Sequence, residues 1–273
     1  MTSSAPSGRP PSARLRVPRA LNVVRDPSPE DLGSRIDWSS WYLTDQEDMG
    51  ESNEQSLIIA LLRSSLGVLV RQRGWEHVYV GSDQFFAWIE AEPLVRVSPD
   101  IYLLDNPPPA PLPDSWQTWL GHAPPRFAVE VVSGRDSHPK SWRKDYEDSP
   151  QKYAQLGTQE LVIFDPQRVT GQATRHGRVP LQLYRREADG AFVRTYAGDG
   201  PVESDVLGAW LLVTRDGRAA RLRIARDPLG HELVPTEAEE TASERARADD
   251  EHLRAERAER ELDALRLALG RRS

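Results

Sequence analysis

One run constrains this chain more than any other: Phe127-Ala128-Val129-Glu130-Val131-Val132, apolar throughout except for a single glutamate. A short apolar run bounded by loop residues reads as a buried strand. An ionised carboxylate is expensive to bury alone, so Glu130 implies a cation, a hydrogen-bond donor or a raised pKa beside it. Glu160–Phe164 reads as a second buried strand, and the helical stretch from Trp142 to Leu156 lies between them.

Upstream, Ser52 with Gln55 three residues later reads as a capping box. The helix it opens is expected to run to about Arg73, with Ile58, Leu61, Leu62, Leu66 and Leu69 on one stripe and Gly74 as its stop. A strand-rich stretch follows at His77–Val80, Phe85–Glu90, Val95–Val97 and Ile101–Leu104, rich in β-branched and aromatic residues. Asp100 sits after Pro99, where the last of these strands begins. The segment Asn106–Pro125 carries seven prolines and reads as a long loop, of the kind that is functional or disordered. Its Trp116 and Trp119 could stack on bases or anchor the loop.

Within 142–156, Ser149 before Pro150 reads as an N-cap, which predicts two short helices or a kink. Gly157 closes the helix. Two hairpins are expected around Asp189-Gly190 and Asp216-Gly217. These elements divide the chain into a disordered arm over 1–36, a domain over 37–234 and a charged helix over 235–273. Only the last two heptads of that helix, with Leu262, Leu265 and Leu269, have coiled-coil character.

Composition excludes several functions. The 273 residues include no cysteine, which removes disulfides, thiolate zinc sites and thiol nucleophiles together. No apolar run approaches the roughly 18–20 residues of a membrane span, so no membrane is expected as a partner and a cytoplasmic location is. No H-E-x-x-H, Walker or G-x-G-x-x-G pattern occurs, and Ser133 has no histidine at a suggestive position. A net charge of −7 argues against a dedicated nucleic-acid binder. The C-terminal 38 residues contribute −3 of it, however, leaving only −4 over the other 235. Weak, salt-sensitive binding to nucleic acid remains compatible with that balance.

Two carboxylates at neighbouring strand ends form an oxygen site suited to Mg²⁺, and a nearby lysine can orient or deprotonate an attacking water. Asp100 and Glu130 are the acids in question. Lys140, Lys144 and Lys152 lie between Glu130 and the next strand. The set Pro99-Asp100-Ile101, Phe127 to Ser133, Tyr153-Ala154-Gln155-Leu156-Gly157-Thr158-Gln159-Glu160-Leu161 and Phe164-Asp165-Pro166 resembles the Uma-two family of restriction-endonuclease-like proteins. The similarity extends from about Glu51 to Thr214, and similar members carry a charged C-terminal helix.

The resemblance implies an α/β PD-(D/E)XK restriction-endonuclease-like core, a central mixed sheet flanked by helices. It also implies a divalent metal (Mg²⁺, or Mn²⁺) and phosphodiester hydrolysis, with DNA as the expected substrate. Asp100 matches the family's first acid and Glu130 its second, and the Val131 carbonyl stands where the wider fold has a third ligand. The lysine departs from the pattern. Two residues after Glu130 stands Val132, and the family's usual helix position, four residues before the tyrosine, is Ser149. Lys152 and Lys144 are the substitutes. Lys152 shares a helix face with Ser149, whereas Lys144 lies about 140° away unless Pro150 breaks the helix.

Glu54, on the apolar stripe of the first helix, is either a further metal ligand or an acid favoured by the helix dipole. Arg135, His138, Lys140 and Arg143 could line a phosphate track or a solvated loop. The competing reading is a degenerate, inactive nuclease fold acting through its C-terminal helix in self-association or with a protein partner.

Overall fold

The computed structural model describes residues 22–24, 41–43, 53–133, 142–169, 177–217 and 219–270. In chain order, the strands β1 (Asn22–Val24) and β2 (Trp41–Leu43) pair in parallel ahead of helix α1 (Asn53–Gln72). Asn22–Val24 falls inside the segment expected to be disordered, where Val23 and Val24 favour a strand. The rest of 1–36 lies outside the described residues.

After α1 come β3 (Val78–Gly81), β4 (Phe85–Ala87), β5 (Arg96–Val97), β6 (Ile101–Asp105), β7 (Ser115–Gln117) and β8 (Phe127–Val131). A helical segment then leads into α2 (Ser149–Leu156) and β9 (Glu160–Phe164). The remaining strands are β10 (Leu181–Arg186), β11 (Phe192–Gly198), β12 (Val202–Ser204), β13 (Ala209–Asp216) and β14 (Ala219–Ala225), and α3 (Glu237–Gly270) ends the chain.

Six strands form a central sheet in the order β11-β10-β9-β8-β6-β3. β8 and β9 run parallel, and the other neighbours run antiparallel, so the sheet is mixed as expected. Side chains alternate between its faces. Ile101, Leu103, Phe127, Val129, Val162 and Phe164 meet α1 and the small sheet β12-β13-β14. On the other face, Tyr102, Leu104, Ala128, Leu161 and Ile163 meet Trp142, Tyr153 and Leu156 of the helical segment and Phe86 and Trp116 of the sheet β5-β4-β7.

The proline-rich stretch is a packed element. β7 pairs in parallel with β4, and Trp116, 1% exposed, stacks on Phe86 and donates Nε1–H to Tyr102 Oη at 2.9 Å. Burial of the indole removes Trp116 from any base-stacking surface. His122 is also engaged, its Nδ1 accepting the Gln117 N–H at 2.9 Å.

Glu160 ties the small C-terminal sheet to the central one. It is 1% exposed, and its carboxylate accepts hydrogen bonds from Ser204 Oγ, from Asp205 N–H at 3.0 Å and from Arg185 Nε at 2.9 Å. Glu160→Ala leaves those donors unmatched at the sheet junction and is expected to cost about 3 kcal/mol. Urea unfolding checks this, and an unchanged midpoint would show that the network adds nothing net.

α3 starts with a capping box. Thr236 Oγ1 accepts the Glu239 N–H at 3.1 Å, and Glu239 accepts the Thr236 N–H at 2.7 Å. Glu239 pairs with Arg223 at 2.8 Å, and Glu240 with Arg71, fixing the first turn to β14 and α1. Residues 241–262 are exposed, with i,i+4 pairs such as Asp250–Arg254 along the helix. No helix among the described residues is long and apolar enough to cross a membrane.

Candidate active site

The antiparallel register of β6 and β8 places the two acids. Ile101 faces Val129, so one step further along the ladder Asp100 faces Glu130. Directly opposed residues share a face, with Cβ atoms about 4.5–5.5 Å apart. That face is the one covered by Trp142 and Tyr153. Asp100, 8% exposed, accepts the Val131 N–H on Oδ2 at 2.5 Å. Tyr153 donates its hydroxyl to Glu130 Oε1 at 2.7 Å.

The first turn of α1 reaches the same sheet end, but through Gln55. Its Nε2 lies 3.3 Å from Asp100 Oδ1 and 3.3 Å from the Val131 carbonyl oxygen. Adjacent helical residues point about 100° apart, so Glu54 is turned away. It is half-exposed and ion-paired with Arg221 of β14. The structure therefore does not bring Glu54 to the acids. Gln55, read from the sequence as a capping residue, supplies the contact instead, while Ser52 and Glu51 lie outside the described residues.

The segment before α2 also differs from expectation. Ser149 is no N-cap: its backbone is helical (φ −55°, ψ −47°), and its N–H donates to the Lys144 carbonyl five residues back. Lys144–Asp148 is a π-helical turn that runs straight into α2. Pro150 explains it, because proline has no N–H for the carbonyl four residues earlier and its ring collides with that carbonyl. One extra residue in the turn relieves the collision, a device frequent at functional sites.

The π-turn also changes the wheel. The extra residue in the turn narrows the roughly 140° that separates Lys144 from Ser149 on a regular α-helix, bringing Lys144 round toward the Ser149 side. Its charge favours the ionised forms of both Glu130 and Asp145. Lys152, 4% exposed, lies on the buried face of α2 with Ser149 and Tyr153. Helical side chains lean toward the helix N-terminus, a tendency that favours a Lys152 side chain directed toward Ser149 three residues earlier. The chain contains thirty-two arginines and only three lysines, all three between β8 and β9. Arginine stays protonated, whereas lysine can give up its proton.

A third acid joins the pair. Asp145 accepts the Ser133 main-chain N–H and feels the charges of Asp100 and Asp165. Burial first, and then Asp100, pushes its carboxyl well above the ordinary range, with Lys144 pulling back. Glu130 is raised likewise by burial, then by Asp100 and Asp145, against the hydroxyl of Tyr153 and the charge of Lys144. Sequence reading missed Asp145. Its only signal was the i, i+4, i+8 spacing with Ser149 and Tyr153.

The oxygens facing this space suit a hard divalent cation: Asp100 Oδ1, the Glu130 carboxylate and the Val131 carbonyl. The Gln55 amide already bridges two of them with its partial positive charge. Among the described residues no three His, Asp or Glu side chains gather at metal-binding distance. Such a cation would therefore depend on two carboxylates, a main-chain oxygen and water, the set that Mg²⁺ favours. Of the suggested phosphate track, Arg143 is half-buried and pairs with Glu147 at 3.7 Å. Arg135, His138 and Lys140 lie outside the described residues.

No curated protein matches the chain. A crystal structure of "a putative nuclease belonging to DUF820" from Anabaena variabilis is similar at 12% identity and a TM-score of 0.39, covering 60% of this chain and 78% of that one. The family described as "Uma2: Putative restriction endonuclease" matches residues 46–198, which span α1 to β11 and include both acids, the lysines and Tyr153. The chain belongs to the Uma2 family.

Proposed function

We propose that the chain is a divalent-metal-dependent endonuclease that hydrolyses phosphodiester bonds in DNA. The observation that carries the reading is the facing of Asp100 and Glu130 across β6 and β8, with Lys144 and Lys152 on the helical segment that follows β8. Asp100, Glu130 and the Val131 carbonyl would hold Mg²⁺ or Mn²⁺. Such an ion supplies Lewis acidity at the scissile phosphate and lowers the pKa of water.

The protein's own groups do the rest. Val131 N–H and Gln55 orient the Asp100 carboxylate, and Tyr153 orients Glu130. Lys152 takes the proton of the attacking water or clamps the phosphate, in the role that Ser149 cannot fill. Lys144 balances the charge of Glu130 and Asp145. DNA binding is weak and salt-sensitive, in keeping with the acidic balance.

The test is cleavage of plasmid, single-stranded DNA and RNA with Mg²⁺ or Mn²⁺ and with EDTA. Metal-dependent nicking or linearisation of DNA is expected, and absence of cleavage on every substrate sinks the reading.

Ser149 at the family's lysine position supports a second reading, a degenerate nuclease fold that works through α3. The exposed helix would then mediate self-association or hold a protein partner. Sedimentation of the full chain and of a chain ending at Val234 checks this. Sedimentation of each chain at its own monomer mass excludes a homodimer through α3.

A further inference from the structure

A second buried cluster lies at the same end of the central sheet. Asp165 follows β9 directly, parallel to the end of β8 that carries Glu130, and is fully buried. Its Oδ2 accepts Arg178 Nε and Nη2, both at 2.7 Å, and its Oδ1 accepts the Gln167 N–H at 3.2 Å. Arg178 is 1% exposed, with its guanidinium 5.2 Å from the centre of the Trp142 ring. Burying a matched ion pair of this kind is costly and adds little net stability. Its retention calls for another account.

The account is Tyr146. This residue is the middle of the π-turn, two residues from Lys144 and one from Asp145. Its hydroxyl lies 2.9 Å from Asp165 Oδ2, to which it donates, and 2.9 Å from the Val179 carbonyl, and it accepts the Val179 N–H at 3.2 Å. The ring meets Trp142 edge-on at 5.7 Å. The π-turn hydrogen-bonds i→i+5 in place of i→i+4, and the Tyr146 hydroxyl ties its middle to Asp165 and to the main chain at Val179.

We propose that Asp165 and Arg178, through the hydroxyl of Tyr146, form a positioning latch that sets the π-turn so that Lys144 and Asp145 face the Asp100–Glu130 pair. The latch deepens the nuclease reading and rests on it for its effect on catalysis, though not for its effect on lysine orientation. Tyr146, Asp165 and Arg178 are positioning residues: none is placed at the reacting atoms.

With only three lysines, competitive amine labelling read by mass spectrometry reports each one separately in the intact chain. Tyr146→Phe keeps the ring and removes the hydroxyl. The expected result is a labelling rate at Lys144 changed at least threefold relative to Lys152, in protein whose circular dichroism is that of wild type. In the cleavage assay kcat falls about tenfold with KM within twofold, as for lost positioning rather than lost binding. Asp165→Asn, which keeps the shape of the acceptor, is expected to change the Lys144 rate in the same direction.

Unchanged Lys144 labelling in a folded Tyr146→Phe protein overturns the latch, whatever the cleavage assay gives. Altered Lys144 labelling in a chain whose wild type cuts nothing supports the latch and overturns the nuclease reading. The two failures are thereby distinguished.

Discussion

Asp100→Asn is expected to reduce DNA cleavage by about a thousandfold or more, since several kcal/mol of transition-state stabilisation rest on a metal-binding carboxylate and each 1.36 kcal/mol is tenfold in rate. The substitution keeps an acceptor for the Val131 N–H, so the local backbone should stay in place. Glu130→Gln should abolish cleavage as completely, and it carries a second, opposite effect on stability. Burial, then Asp100, then Asp145 raise the Glu130 carboxyl well above its ordinary 4.5. A carboxyl raised in the folded state binds its proton more tightly there than in the unfolded chain. Stability is then greatest below the unfolded value and falls as pH rises from 4.5 toward the folded value.

Glu130→Gln removes that loss. At pH 8, without divalent cations, the variant is expected to melt above wild type by about 2–4 °C, the shift that about 1 kcal/mol produces in a domain of this size. Added Mg²⁺ or Mn²⁺ should raise the melting temperature of wild type and leave that of Asp100→Asn unmoved. A Glu130→Gln protein that melts below wild type, or cuts normally, contradicts the site.

Lys152→Met is expected to lower kcat by about 10²–10⁴-fold, the range for a positioned proton-transfer group. Lys144→Met should cost less, about ten- to a hundredfold, because Lys144 acts on the charge of Glu130 and Asp145. Lys152→Arg separates two roles. Arginine keeps a cation for phosphate but cannot surrender its proton, so a dead Lys152→Arg variant identifies a base and an active one a clamp. Single-turnover cleavage at saturating metal measures all three. If both methionine variants cut at the wild-type rate, neither lysine serves, and the interaction role of α3 becomes the better reading.

Much of the frame is legible in the sequence. The apolar runs Phe127–Val131 and Glu160–Phe164 became adjacent parallel strands, and the helix ending at Gly74 and both hairpins appeared where periodicity and turn residues put them. Gly74 takes φ +64°, the left-handed conformation that closes such a helix. Less was legible where packing overrode local chemistry. The prolines of 107–125 read as a loop, yet Trp116 found Phe86 and Tyr102 and drew Ser115–Gln117 into a strand. Ser149-Pro150 read as a helix start, yet the chain stayed helical by widening the turn before it.

Sequence by itself determined the family and singled out Asp100, Glu130 and a short list of lysines as candidates. These depend on residue types at set intervals, and the intervals of strand and helix are local properties of the backbone. Tertiary structure decided which first-turn side chain of α1 meets the acids, Gln55 and not Glu54. It also decided that Asp145 joins them and that a buried Asp165–Arg178 pair reaches the π-turn through Tyr146. Such choices turn on about 100° of helix rotation and on contacts between segments more than ten residues apart, and no local period encodes either.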